Sequence, residues 1–210
     1  MVLISFKDTM MTLIIIAAVC VGMVGYCMLT HFISYRVLKN RILKRQKWDL
    51  NICCGQTDGG GINADIVEQR GVPNFRLIED IYKLPFDTGQ FDTVLCSHTI
   101  EHVDYPGRFF QELQRVGKKV TIVIPPLYDV TAAINVFEHK YIFLSFKKEH
   151  CRLPGHVRLP LANFIQKRIG QINHEKSASK PLILELILSL FSVSHREKLK
   201  LKSTKPFDSH

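Results

Sequence analysis

The run Leu50 to Gly55 (LNICCG), followed by Gln56, Thr57, Asp58 and three consecutive glycines, reads as a strand leading into a glycine-rich turn. Glycines adopt the conformations such a turn requires and let backbone amides approach a ligand closely. Acids recur beyond it: Asp65 ends GGGINAD, Asp80 stands in LIEDIYKLPF, and Asp92 lies in FDTVLCSHTIEHV. In an open parallel sheet, a carboxylate at the end of the second strand can accept hydrogen bonds from the hydroxyls of a ribose. The last run also carries Ser97, His98, Glu101 and His102, and its imidazoles and glutamate are candidates for moving a proton.

An α/β frame is needed to position these groups. Short apolar runs of strand length occur at Trp48 to Cys53, Ile62 to Ile66, Phe75 to Ile78, Thr93 to Ser97 and Val120 to Ile124, separated by Gly, Asp, Asn and Pro clusters. Several are continuously apolar, as in sheets covered on both faces. Between the last two, Pro106 to Val116 places Phe109, Phe110, Leu113 and Val116 at helical spacing. The expected fold class is therefore α/β, a Rossmann-like and mostly parallel sheet flanked by helices. Asp65 lies only ten positions beyond Gly55, less than a full crossover normally takes, so the first helix must be short or replaced by the glycine-rich loop.

The order and spacing of these motifs resemble the class I S-adenosylmethionine-dependent methyltransferases, in particular the small type 11 branch. The shared pattern is a glycine-rich first loop, a ribose acid, D-x-x-x-L-P-F, and F-D-x-V followed by E-H-V, over about Trp48 to Pro126. The resemblance implies S-adenosylmethionine as cofactor. Cys53, Cys54, Gly55 and Gln56 would wrap its methionine part, Asp65 would hold the ribose, and Asp80 with Ile81 would meet the adenine. Ser97 and His98 match positions facing the sulfonium and the acceptor. Tyr128 and His139, in the segments after the fifth strand, would line the acceptor side, with His98 the candidate catalytic group. Phe91, Asp92, Glu101 and His102 are assigned structural roles. The chain departs from the pattern at Asn51, where an acid is usual, at Cys53, where glycine is usual, and after Val116, where K-P-G-G shrinks to Gly117, Lys118 and Lys119. These departures support an alternative: a catalytically degenerate domain serving as a membrane-tethered interaction module.

From Met10 to Tyr35 the chain carries no Asp, Glu, Lys or Arg, more than the roughly 20 residues a bilayer-spanning helix needs. Arg36, Lys39, Arg41, Lys44, Arg45 and Lys47 follow it, which sets the remainder in the cytoplasm and argues for a retained anchor over a cleaved signal. His31 reads as an interfacial residue. The chain thus divides into a stub outside the cytoplasm (1–9), a transmembrane helix (10–35), a basic juxtamembrane segment (36–47), a methyltransferase-like domain (48–172), and a linker, apolar helix and basic tail (173–210).

The net charge of +9 over 210 residues is concentrated in that basic segment and in the tail, so no nucleic-acid partner is expected. PPLY at Pro125 to Tyr128 follows the fifth strand and lacks a leading Asn, which disfavours DNA modification. The absence of G-x-G-x-x-G disfavours a nicotinamide-dependent reductase. Six cysteines form no disulfide framework, which favours a reducing compartment, and His150, Cys151 and His156 lack structural-zinc spacing, so no metal is expected. The expected partners are a small or lipid-linked acceptor and the membrane. Pro160 to Gly170 reads as a short helix, and Pro181 to Val193 as an apolar one, packed on the domain or lying in the membrane interface.

Overall fold

The computed structural model describes residues 6–168. The expected linker, apolar helix and tail at 173–210 lie outside the described residues.

Helix α1 (Phe6–Phe32) is 27 residues long and almost wholly apolar, about 40 Å at 1.5 Å per residue. Its apolar window is unburied, and by length and composition it is able to cross a membrane. The helix does not stop at Tyr35. It widens into a π-helical stretch, Ile33–Leu38, and continues as α2 (Lys39–Leu43). The basic residues there are good helix formers, and Ile42 is drawn onto the domain, where it is buried with Trp48, Leu95 and Val123. The Trp48 indole N–H donates to the Leu43 carbonyl, closing the end of α2.

The principal sheet runs β3-β2-β1-β4-β5-β7. Its strands are β1 (Trp48–Ile52), β2 (Gly60–Asp65), β3 (Phe75–Leu77), β4 (Phe91–Ser97), β5 (Gly117–Val123) and β7 (Glu149–His150). The first five are parallel, and β7 pairs with β5 antiparallel. Strand order reverses beside β1, the switch point at which open α/β sheets bind ligands. The fold is Rossmann-like, as expected. A separate pair, β6 (Tyr141–Phe143) and β8 (His156–Arg158), lies between and after these elements in the chain, with short helices α4 (Val130–Ala133) and α5 (Ala162–Arg168).

Helix α3 (Pro106–Val116) covers one face of the sheet. Its Phe109, Phe110, Leu113 and Val116 pack with Leu50, Ile52, Val94, Cys96, Ile122 and Ile124, each fully buried apolar side chain contributing about 1.5–3 kcal/mol. The L-P-F element is part of this packing. Leu84 and Phe86 are buried, the Leu84 amide donates to Glu112, and Arg115 donates to the Leu84 and Phe86 carbonyls. Gly117 starts β5 directly after α3, without an intervening turn. A Cβ there would overlap Val94 Cγ2, so the tight junction requires glycine.

The opposite face lacks a helix between β1 and β2. Residues 53–59 make that crossover as a loop, and two buried asparagines hold it. Asn51 and Asn63 are register partners on adjacent strands. Asn51 Nδ2 donates to the Thr57 carbonyl at 2.8 Å and to Asn63 Oδ1 at 3.0 Å, while the Gly59 amide donates to that oxygen at 2.8 Å. A Cβ on Gly59 would come within 2.6 Å of Asn51 Cβ, so the loop's glycine permits this close approach.

Candidate functional site

At the carboxyl end of β1 the chain turns sharply through positive φ at Cys53 (51°) and Gly55 (53°). This turn aims the Gly55 amide at Asp65, the last residue of β2, donating to Oδ2 at 2.9 Å, while the Val67 amide donates to Oδ1 at 3.2 Å. An ionised carboxylate has about four acceptor sites, so Asp65 keeps capacity for a ligand's hydroxyls. The Cys54 amide donates to the Ala64 carbonyl, tying the loop to β2. Burial, with the nearby Asp65 charge, pushes the Cys54 thiol up to about 12, so it is no nucleophile. Gln56 is exposed and its amide donates to Gln69. Thus Cys53, Cys54, Gly55, Gln56 and Asp65 form one connected edge.

Asp80 and Ile81 follow β3, whose end adjoins Asp65 through a hydrogen bond from the Ile78 amide to the Asp65 carbonyl. Asp80 is exposed and accepts from the Tyr82 amide at 2.7 Å, and Ile81 packs against the core. Phe91 is buried and edge-on to Phe86, and exposed Asp92 pairs with Lys118. Both have the structural character expected.

The end of β4 is different in kind. Ser97 Oγ is buried without a hydrogen-bond partner. His98 holds φ of 54°, and its amide donates to the Val123 carbonyl. Its ring lies between two charged groups: Nδ1 is 3.3 Å from Glu101 Oε1, and Nε2 is 2.8 Å from Lys148 Nζ. Lys148 also donates to Ser34 Oγ at 3.0 Å. His139 Nε2 is 4.0 Å from the same Glu101 oxygen. Burial governs the protonation of the cluster. It raises the Glu101 carboxyl to about 7, lowers the Lys148 ammonium to about 7, lowers His139 to about 4, and with Lys148 alongside holds His98 well below the ordinary imidazole value.

The end of the long helix completes this side. His31 Nδ1 lies 3.2 Å from Oδ1 of fully buried Asp129, His31 stacks on Tyr35, and Tyr35 packs on the His98 ring at 5.4 Å. His31 therefore faces the domain and not only the interface. Tyr128 is half-buried beside Asp129, and its hydroxyl is raised by burial and that neighbour.

Ser34, Asp129 and Lys148 carry no sequence motif, and Glu101 stands at the centre of the cluster, not at its margin. Glu101 and His102 were legible as the E-H-V motif, and His98 and His139 as acceptor-side candidates, but not their convergence on one carboxyl. His150, Cys151 and His156 do not gather: His150 and His156 bond to the Lys147 and Pro154 carbonyls, and Cys151 is exposed. A shallow depression lined by Arg76, Lys83, Phe86, Asp87 and Arg115 includes none of these groups.

Three solved structures show limited likeness to the chain. A methyltransferase of Aquifex aeolicus is 17% identical, with 44% of this chain and 66% of that one covered, at a TM-score of 0.33. One from Thermotoga maritima is 22% identical, with 46% and 56% covered, at 0.35. A protein of Pyrococcus horikoshii is 16% identical, with 65% and 79% covered, at 0.37. The chain thus spans less than two thirds of the Aquifex and Thermotoga proteins. No curated protein matches it. Residues 61–124, from β2 through the residue after β5, match the family model of a methyltransferase domain.

Proposed function

We propose that the chain is an S-adenosylmethionine-dependent methyltransferase, anchored by α1 with its domain at the cytoplasmic membrane face, that acts on a small or lipid-linked acceptor. The observation that carries this reading is the positive-φ turn at Cys53 to Gly55 tied to the Asp65 carboxylate at the switch point of a parallel sheet. The family-model match over residues 61–124 supports the same chemistry.

In this reading the turn cradles the methionine part of the cofactor, Asp65 accepts from the ribose, and Asp80 with Ile81 flanks the adenine. Ser97 and His98 face the methyl group, with Tyr128 and His139 on the acceptor side. Methyl transfer breaks a sulfur–carbon bond as the acceptor attacks in line, and the sulfonium is already an activated leaving group. The protein's task is chiefly to align the two and exclude water. The packing of His31, Ser34 and Tyr35 against this edge favours an acceptor met at the membrane surface. The basic residues from Arg36 to Lys47 support the cytoplasmic orientation.

The test is calorimetric titration of the full chain in detergent micelles with S-adenosylmethionine, beside Asp65→Ala and Asp80→Ala. Micromolar binding by the parent and its loss in Asp65→Ala are expected. A folded parent that binds no cofactor would sink the proposal and favour the tethered interaction module.

A further inference from the structure

Glu101, His102 and His139 each present one ligand atom, and these atoms all lie within 4.8 Å of one another. Glu101 is fully buried and His139 is 5% exposed. Both carboxylate oxygens of Glu101, and Nδ1 of His139, are buried without a hydrogen-bond partner. The 3.3 Å approach of His98 Nδ1 is a long contact, and a buried carboxyl so weakly paired is unfavourable. Lys148, the ammonium of this cluster, directs its hydrogen bonds to Ser34 and His98 instead. The glutamate and two imidazoles therefore present a set of ligand atoms that a cation would complete.

We propose that Glu101, His102 and His139 bind one divalent transition-metal ion on the acceptor side of the sheet. Two nitrogens and one oxygen suit zinc, cobalt or iron better than magnesium or calcium, which favour all-oxygen shells. An ion centred among atoms no more than 4.8 Å apart stands at most about 0.7 Å beyond a usual 2.1 Å bond from each. Small side-chain rotations close that gap. The outer contacts are those of a ligand set: His102 Nδ1 lies 2.9 Å from the Glu138 carbonyl, which orients the ring, and the Lys140 amide donates to the Glu101 carbonyl at 2.8 Å, joining the two ligand-bearing segments. Three protein ligands leave a position open, and His98, 3.3 Å from Glu101, borders it. If the methyltransferase reading holds, that position receives an oxygen of the acceptor; the ion itself does not depend on that reading.

The full chain in detergent, stripped with a chelator and dialysed, is titrated with Co²⁺ alone and followed by visible absorption. One equivalent, displaced by Zn²⁺, is expected. Glu101→Gln and His139→Ala, with folding checked by circular dichroism, weaken Co²⁺ binding by more than the roughly 10- to 100-fold that loss of an orienting outer partner costs. His150→Ala leaves it unchanged. A folded parent that takes up no Co²⁺, or unchanged uptake in folded Glu101→Gln and His139→Ala, overturns the proposal. Should both variants fail to fold, X-ray absorption of the cobalt-loaded parent decides it: two imidazoles in the shell support the site, and fewer overturn it. Cofactor calorimetry on the same sample separates failure of the metal site from failure of the methyltransferase reading.

Discussion

The two ends of the site are built by opposite means. The proposed cofactor edge, at the ends of β1 and β2, is assembled from neighbours in the chain, with backbone amides and two asparagines doing what a helix would do. The proposed acceptor edge, at the ends of β4 and β5, draws on the end of the long N-terminal helix, the E-H-V motif and the strand at the sheet's far side. Its groups are charged, buried and remote in sequence: His31 meets Asp129 across 98 positions and Lys148 meets Ser34 across 114. Local loops suffice where a ligand's shape must be followed. Charges held out of water need partners from several elements, because none can supply enough alone.

The contrast is most severely tested by deleting residues 1–47. This strips Ile42 from Trp48, Leu95 and Val123, and removes His31 from fully buried Asp129 and Ser34 from Lys148. A loss of at least the roughly 3–5 kcal/mol that unpairing a buried charge costs is expected, seen as aggregation or a lowered urea midpoint; an unchanged midpoint would separate the anchor from the domain. Phe109→Ala, on the helix-covered face common to both edges, should cost about 3–5 kcal/mol in the same assay. Next comes the chemistry of the loop after β1. With its thiol near 12 against an ordinary 9.0, Cys54 should alkylate at pH 8 on the order of 100-fold or more slowly than exposed Cys151, as read by mass spectrometry. Comparable rates would mean the loop opens freely.

Asn63→Ala leaves the Gly59 amide and the Asn51 side chain without their shared acceptor. A loss of about 1–3 kcal/mol, with weaker cofactor binding, is expected by chemical unfolding and calorimetry. The smallest effect belongs to Arg45→Ala. Its bidentate pair with Glu149 is largely exposed, so less than about 1 kcal/mol should be lost, and less still in high salt.

The same division governs what the sequence reveals. The parallel strands and α3 were legible because their apolar spacing is local, and so was the lack of room for a full first helix between Gly55 and Asp65. Boundaries moved where glycine misleads: β2 starts at Gly60 and β5 at Gly117, since glycines that read as a turn sit where Lys47 and Val94 crowd the backbone. The basic segment after Tyr35 reads as a topology signal, yet it continues as helix because Ile42 finds a buried seat. Asn51 reads as a lapse from a family pattern, but with Asn63 it supports the loop. Ser34, Asp129 and Lys148 were invisible because their meaning lies in contacts across the chain.

The π-helical stretch at Ile33–Leu38 has a consequence for the long apolar helix that precedes it. Such a widening holds one residue more than the α-helix it interrupts, and one residue is worth about 100° of rotation at 3.6 per turn. It works as a phase shifter. Downstream, Ile42 is keyed to the sheet; upstream, His31 is keyed to Asp129. Deleting one residue from the stretch would restore plain α-helix with that phase kept, whereas deleting one from the α-helix between it and His31's turn would rotate the upstream cylinder by roughly a quarter of a revolution, and a different stripe of α1 would look toward the domain.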